Sequence, residues 1–168
     1  MEILINNSYG GFGFSNFAII EWFKRTGTPV WYYEELKSEK TYVNGKAHFA
    51  ATYKKISEQD IIGKNRPQCL IAVVNKDYGD EVKDFYRVVQ KDSSKVEIDD
   101  DKLRVDPVMI GIYKEYGAVK VSGPCANLRL ENVKKGQVIK IEEYDGLETI
   151  KVVYDPDWET EPVYLASY

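Results

Sequence analysis

The chain has 168 residues, a formal net charge of −4 and a pI near 5.2. An acidic balance of this size argues against a nonspecific grip on a nucleic-acid backbone, because that needs a basic surface. The N-terminus shows no signal-peptide pattern, and no stretch approaches the ~20 apolar residues of a membrane span, so we expect neither secretion nor a membrane partner.

Residue types that usually carry catalysis are scarce. The chain has one histidine, His48, and two cysteines, Cys69 and Cys125, none of which has metal-ligand spacing. We therefore expect no zinc site, and a Ser-His-Asp triad through His48 is a weak alternative. We predict that both cysteines are reduced and buried. No catalytic residue, metal or cofactor is expected.

The first elements are a strand, a glycine-rich loop and a helix. Residues 2–7 predict a strand, and Ser15 or Asn16 can cap a helix over about residues 15–26 that ends before Gly27. The loop between them reads "NNSYGGFGFS". It lacks the third glycine of a dinucleotide-binding fingerprint and the Gly-Lys-Ser/Thr of a P-loop. Either its backbone amides hold an anion at the helix N-terminus, or it is only a tight turn.

The middle of the chain is predicted to be rich in strands. "PVWYYEEL" favours a strand, and "KTYVNGKAHFAATYKKI" favours a hairpin about Asn44-Gly45. "QCLIAVVN" predicts a buried strand and "FYRVVQ" another. "SEQDIIGKNRP" is read as a loop or a short helical turn, "KDYGDEVKD" as a loop, and "KDSSKVEIDDDK" as the most linker-like stretch.

The last third combines a helix with a sharp hairpin. Asp106 followed by Pro107 is a strong helix start, which predicts a helix over about 107–116. "CANLRLENV" predicts a strand, and "QVIKIEEYDGLETIKVVYD" predicts two strands about Asp145-Gly146. The fold class is therefore α+β: a single domain over 1–168, mainly antiparallel strands and hairpins, with two short helices.

Three segments resemble a widespread set of small bacteriophage proteins: "INNSYGGFGFS", "RVDPVMIGIYKEYG" and "IEEYDGLETI". Those proteins open with an Asn-x-x-Tyr-Gly-Gly-Phe segment and close on Ile-Glu-Glu-Tyr-Asp-Gly-x-Glu. The matching residues are Asn6, Tyr9, Gly10, Gly11, Phe12, Ser15, Arg104, Asp106, Pro107, Ile110, Gly123, Ala126, Leu128, Glu142, Glu143, Tyr144, Asp145, Gly146 and Glu148. Residues 28–100 are not covered, which is compatible with a variable β-rich insertion. "KVSGPC" and the tail after Tyr154 depart from the pattern.

The resemblance implies a phage-encoded counter-defence protein of the host bacterial cytoplasm. The first functional expectation is a sponge that binds a nucleotide-derived immune signal, such as a cyclic dinucleotide or a cyclic ADP-ribose derivative, without cleaving it. The alternative is an inhibitor that binds a host immune protein. A third is a nucleotide hydrolase using Glu142, Glu143 and Asp145, of which Glu143 and Asp145 share a face of the hairpin. A homo-oligomer is compatible with each of them.

The expected ligand site combines the two ends of the chain. We predict that the closing hairpin packs beside the glycine loop, so that Tyr9 or Tyr144 offers a stacking face and a carboxylate receives a hydroxyl or a base N–H. The alternative is a hairpin end in solvent, whose tyrosine only covers the sheet. Arg104 is the candidate to fork onto a phosphate. The predicted site residues are Asn7, Ser8, Tyr9, Gly10, Gly11, Phe12, Ser15, Arg104, Glu143, Tyr144 and Asp145.

Overall fold

The computed structural model describes residues 1–43, 46–63, 71–154 and 163–165. In chain order its elements are β1 Glu2–Asn6, α1 Asn16–Thr26, β2 Trp31–Val43, β3 Lys46–Ile56, α2 Glu58–Gly63, β4 Ile71–Val74, β5 Glu81–Val82, α3 Phe85–Asp92, α4 Asp100–Leu103, α5 Pro107–Tyr116, α6 Ala118–Val121, β6 Leu128–Asn132, β7 Val138–Tyr144, β8 Leu147–Val152 and β9 Val163–Leu165. The strand pairs are antiparallel, so the predicted α+β class is confirmed.

The chain divides into two compact units by its contacts. Unit 1 comprises residues 1–22 and 99–168, and unit 2 comprises residues 23–98. The boundary at residues 98–99 falls inside the stretch that the sequence marks as linker-like. The single-domain organisation with an insertion over 28–100 stays a prediction.

Unit 1 contains two small sheets. Strands β1 and β6 pair antiparallel, and β7 lies between β8 and β9. Buried Ile3, Ile5, Val133 and Ile139 form an apolar cluster, to which β1 contributes Ile3 and Ile5 because residues two positions apart lie on the same face of a strand. Helix α5 starts as predicted: the Asp106 Oδ1 accepts the N–H groups of Val108 and Met109, both at 2.9 Å.

Unit 2 contains a four-stranded sheet in the order β4-β2-β3-β5. Its core is aromatic: Tyr53 stacks on Phe85 with ring centroids 4.2 Å apart, and Tyr33 lies 5.5 Å from Phe85. The long β2–β3 hairpin is confirmed as a pair of strands, whereas its predicted turn, Asn44-Gly45, lies outside the described residues.

Four predictions from the sequence need correction. The two expected helices exist, and α2 agrees with the short helical turn considered for "SEQDIIGKNRP", but the described residues also include the short helices α3, α4 and α6. "FYRVVQ" is not a strand: it belongs to α3, because Phe85 and Val89 are four residues apart and form one buried helical stripe. The predicted loop before it contains the two-residue strand β5.

The fourth correction concerns Cys125, which is exposed rather than buried. It lies in the turn before β6. Cys69 and the side chain of His48 lie outside the described residues, so the predictions about them stay predictions.

Candidate functional site

The glycine loop (residues 7–15) and the closing hairpin (β7, β8 and the turn at Asp145-Gly146) lie against each other. The Gly10 N–H donates to the Asp145 carbonyl at 3.2 Å. The side-chain amide of Asn6, just before the loop, donates to the Gly146 carbonyl at 2.7 Å. The predicted packing of hairpin against loop is therefore confirmed. The ligand roles of its residues stay predictions.

Gly146 is required by a close backbone approach as well as by its turn. Its φ of +87°, next to Asp145 at +49°, gives the left-handed pair of a tight hairpin turn. A Cβ on Gly146 would lie 2.1 Å from the Gly11 nitrogen and 2.5 Å from the Gly10 nitrogen. The backbone of the glycine loop thus lies directly on the turn, with no room for a side chain between them.

The other side of the loop contacts the segment before β6. A Cβ on Gly10 would lie 2.7 Å from the Cys125 carbonyl oxygen, and the Asn7 N–H donates to Asn127 at 2.9 Å. Gly11 has a φ of +92°, but an added Cβ there would meet nothing within 4 Å. Gly10, whose φ is +124°, is therefore constrained by both packing and its backbone angle, whereas Gly11 is constrained by its backbone angle alone.

A buried polar network fixes the base of the loop and the hairpin. Glu148 is 5% exposed and accepts the Asn6 N–H at 2.7 Å. The same carboxylate accepts two N–H groups of Arg104, at 3.1 and 3.2 Å. Arg104 also pairs with Asp101 at 2.9 Å. The pair of Arg104 and Glu148 is bidentate, and bidentate pairs are among the strong arginine–carboxylate interactions.

Phe12 covers the face of the same guanidinium. Its ring centroid lies 3.9 Å from the Arg104 Cζ. The Phe12 and Phe14 rings are perpendicular, with their centroids 5.2 Å apart. Arg104 is 4% exposed, and its Nε is buried with no hydrogen-bond partner among the described residues. Its charge is compensated by Glu148, so a phosphate could reach it only after this pair had opened.

The remaining predicted polar residues also have internal partners. Ser8 Oγ donates to the Asn6 Oδ1 at 3.1 Å, and Asn7 accepts from Arg129 at 3.2 Å. Ser15 caps α1, because its Oγ accepts the Ala18 N–H at 3.1 Å and donates to the Lys120 carbonyl at 2.7 Å.

Two of the three carboxylates considered for hydrolysis, Glu142 and Glu143, make local contacts within the hairpin. Glu143 accepts the Gly146 N–H at 2.9 Å, which closes the turn. Glu142 pairs with Lys151, and the hydrogen bond from that lysine lowers the pKa of Glu142. Among the described residues there is no group of three histidine, cysteine, aspartate or glutamate side chains that could hold a metal ion.

Two aromatic residues of the predicted site remain largely exposed, Tyr9 at 66% and Tyr144 at 77%. They immediately precede the two residues joined by the Gly10–Asp145 hydrogen bond. We call Asn7, Tyr9, Tyr144 and Asp145, which are all exposed, the tyrosine face. The backbone beneath it packs against Gly146, and Asn6 at the start of the loop is hydrogen-bonded to Glu148 of the Arg104–Glu148 pair.

Asn6 and Glu148 are the residues that the predicted site omitted. The sequence does contain a signal for Glu148. In β8 it lies two residues before Ile150, so both side chains face the same side of the strand, and Ile150 packs against the unit 1 core. A carboxylate on the apolar side of a strand requires a buried partner. The partner is Arg104, 44 residues earlier in the chain, and no local sequence pattern identifies it.

No family model, curated protein or solved structure matches this chain. The resemblance to the bacteriophage proteins therefore stays a prediction. Within the residues that the structure describes, no helix is both long and apolar enough to cross a membrane.

Proposed function

We propose that this protein acts by binding, without catalysis, and that the tyrosine face is its contact surface for another protein. The observation that carries the proposal is the pair of exposed tyrosines, Tyr9 and Tyr144, on a loop and a hairpin that are fixed to each other. Tyrosine gives a large contact area with few rotatable bonds, which is why it is enriched at protein interfaces.

The charges near this face favour a protein over an anionic ligand. Arg104, the expected phosphate anchor, is paired with Glu148 and covered by Phe12. Arg129 is engaged by Glu131 at 2.7 Å and by Asn7. The exposed Glu143 and Asp145 lie on the hairpin and would repel a phosphate, whereas a basic or neutral protein surface would be accepted.

The biological setting of the proposal rests on the resemblance to phage proteins. In that setting the partner is a host immune protein, and the chain blocks it in the bacterial cytoplasm. The fixed backbone suits an inhibitor, because a surface that is already ordered loses little conformational entropy on binding.

A nucleotide sponge is the second candidate. It is supported by the same two exposed rings, since a base stacks on any aromatic face at about 1–3 kcal/mol per base. In that case Asn7 and Asp145 would hydrogen-bond the sugar or the base edge, and the ligand would be released intact.

A pair of capture experiments separates the two candidates. We would immobilise the wild type, the double variant Tyr9→Ala/Tyr144→Ala and the control Tyr154→Ala, which removes a tyrosine that is 96% exposed elsewhere in unit 1. Each would be incubated with bacterial lysate, washed and analysed for retained proteins by quantitative mass spectrometry. Nucleotides would be released by heat and identified in parallel.

A protein retained by the wild type and by Tyr154→Ala, but lost from the double variant, would support the protein-binding proposal. An intact nucleotide with the same pattern would instead support the sponge. If all three chains retain the same molecules, the tyrosine face is not a contact surface. Turnover of the nucleotide would contradict both candidates.

A further inference from the structure

In unit 2, the segment after α3 adds a short strand-like stretch to the edge of the sheet. The Asn75 N–H donates to the Ser94 carbonyl and the Val96 N–H donates to the Val73 carbonyl, both at 2.9 Å. These bonds flank the antiparallel bridge between Val74 and Lys95. Among the described residues, residues 94–96 therefore lie beyond β4 at the edge of the sheet, and Glu97 follows them.

No described residue pairs with the outer edge of this segment. Hydrogen-bonding groups alternate along an extended chain, so those of Val96 face β4 while those of Lys95 and Glu97 face away from it. Neither Lys95 nor Glu97 has a backbone hydrogen bond within the described part of the chain. Their side chains are 65% and 83% exposed and lie 3.7 Å apart. Such an edge is a template for another strand.

An open groove of about 600 Å³ runs beside this edge. It is lined by Tyr86, Val89 and Gln90 of α3 on one side and by Ser93, Lys95 and Glu97 on the other. The Tyr86 ring is 61% exposed, and its hydroxyl lies 2.6 Å from that of Tyr53. The groove thus has a fixed aromatic wall next to unpaired main-chain groups.

The sequence of the edge is complementary to itself. When Lys95-Val96-Glu97 is paired antiparallel with a second copy about Val96, each lysine lies opposite a glutamate of the other copy. Lys95 of one copy then exchanges two main-chain hydrogen bonds with Glu97 of the other copy. Glu97 of the first copy does the same with Lys95 of the second, which gives four bonds in total. Opposite charges in directly opposed positions stabilise a strand pair.

We infer that this edge pairs with the same edge of a second copy of the chain, which joins two unit 2 sheets across a two-fold axis. A two-fold axis requires a self-complementary surface, and the Lys95–Glu97 arrangement supplies one. The short edge and its exposed charges make this a weak, salt-sensitive dimer. The inference is independent of the tyrosine face of unit 1.

Charge reversal at the edge tests the inference. The association of the wild type would be measured by sedimentation over a range of concentrations up to about 1 mM, the weak end of specific binding. Glu97→Lys alone and Lys95→Glu alone place like charges opposite each other in the homodimer. Each should weaken self-association by about tenfold or more. A mixture of the two single variants should associate again, because each chain then complements the other.

Further variants separate charge from strand pairing. The double variant Lys95→Glu/Glu97→Lys keeps the complementarity and should dimerise like the wild type. Glu97→Pro removes an N–H that has no internal partner, so it should abolish the dimer without unfolding the chain. Lys134→Glu, a charge reversal on an exposed lysine of unit 1, is the control.

The inference is overturned if the wild type is monomeric at every concentration. It is equally overturned if a dimer forms that neither Glu97→Pro nor the single charge reversals weaken, since another surface would then be responsible. Binding of a foreign extended peptide by a monomeric chain would assign the edge to a different partner and overturn it as well.

Discussion

The two units hold their strands together in different ways. In unit 1, a buried carboxylate, Glu148, joins an arginine, a backbone N–H and a hairpin across long sequence distances. In unit 2, stacked aromatic rings fill the core, and the hydroxyl of the core residue Tyr33 hydrogen-bonds to Asp77 and to the Gly79 carbonyl.

The difference matters because the two kinds of contact tolerate side-chain substitution to different degrees. Apolar packing is nondirectional, so a ring can be replaced by another apolar side chain at modest cost. A buried ion pair must be complete, because removal of one partner leaves an uncompensated charge in a region of low polarity. We therefore expect unit 1 to be specified by a few indispensable residues and unit 2 by total apolar volume.

The largest expected effect is that of Glu148→Ala in unit 1. It removes the bidentate partner of buried Arg104, which keeps its ion pair with Asp101, and it leaves the Asn6 N–H without its acceptor. We expect a loss of about 3–5 kcal/mol in the free energy of unfolding, measured by urea denaturation. Glu142→Ala, on the neighbouring strand and paired only at the surface, should cost less than about 1 kcal/mol. Similar losses for both would contradict the central role of the buried pair.

The next effect separates close approach from backbone angle at two glycines. Gly146→Ala puts a Cβ onto the backbone of the glycine loop and should cost about 2–4 kcal/mol. Gly11→Ala adds only the strain of a positive φ and should cost about 1 kcal/mol. Hydrogen exchange of the loop amides should increase in the first variant and change little in the second. Equal losses would show that the loop does not rest on the turn.

The third prediction tests the tolerance of the aromatic core in unit 2. Phe85→Leu keeps an apolar side chain but loses the stack on Tyr53. We expect a loss of about 1–2 kcal/mol in unfolding free energy, with hydrogen exchange increased in β3 and α3. A loss as large as that of Glu148→Ala would mean that unit 2 is specified as strictly as unit 1.

The smallest effect concerns a carboxyl group next to the buried pair. Burial raises the pKa of Asp100, and this effect is larger than the opposing effect of the Arg104 charge. The Asp100 Oδ1 has no hydrogen-bond partner among the described residues. Because the folded-state pKa lies above the unfolded-state value, the ionised group destabilises the fold at neutral pH. This cost disappears as the pH falls below the unfolded-state value.

Asp100→Asn should therefore raise the free energy of unfolding at pH 7 by less than about 1 kcal/mol, and this gain should vanish in acid. Asp101→Asn is the matched control at the neighbouring position. It should lower the free energy of unfolding at pH 7, because Asp101 pairs with Arg104. Thermal unfolding of both variants between acid and neutral pH would measure the difference. A destabilising Asp100→Asn at neutral pH would contradict the prediction.

The sequence by itself determined the local features of this protein. The Asp106 cap, the glycine after α1 and the hairpin about Asp145-Gly146 are as predicted, because each depends on backbone angles within a few residues. The α+β class follows from the same signals. The packing of the closing hairpin on the glycine loop was suggested by the resemblance rather than by spacing.

Only the tertiary structure decided what those features do together. It pairs Arg104 with Glu148, which makes a candidate phosphate ligand part of the interior, and it brings the Gly146 turn onto the loop backbone. It also makes "FYRVVQ" a helix, because the buried stripe of Phe85 and Val89 outweighs the strand propensity of the segment. Contacts between residues that are 44 or 142 positions apart depend on the whole fold, so no local pattern encodes them.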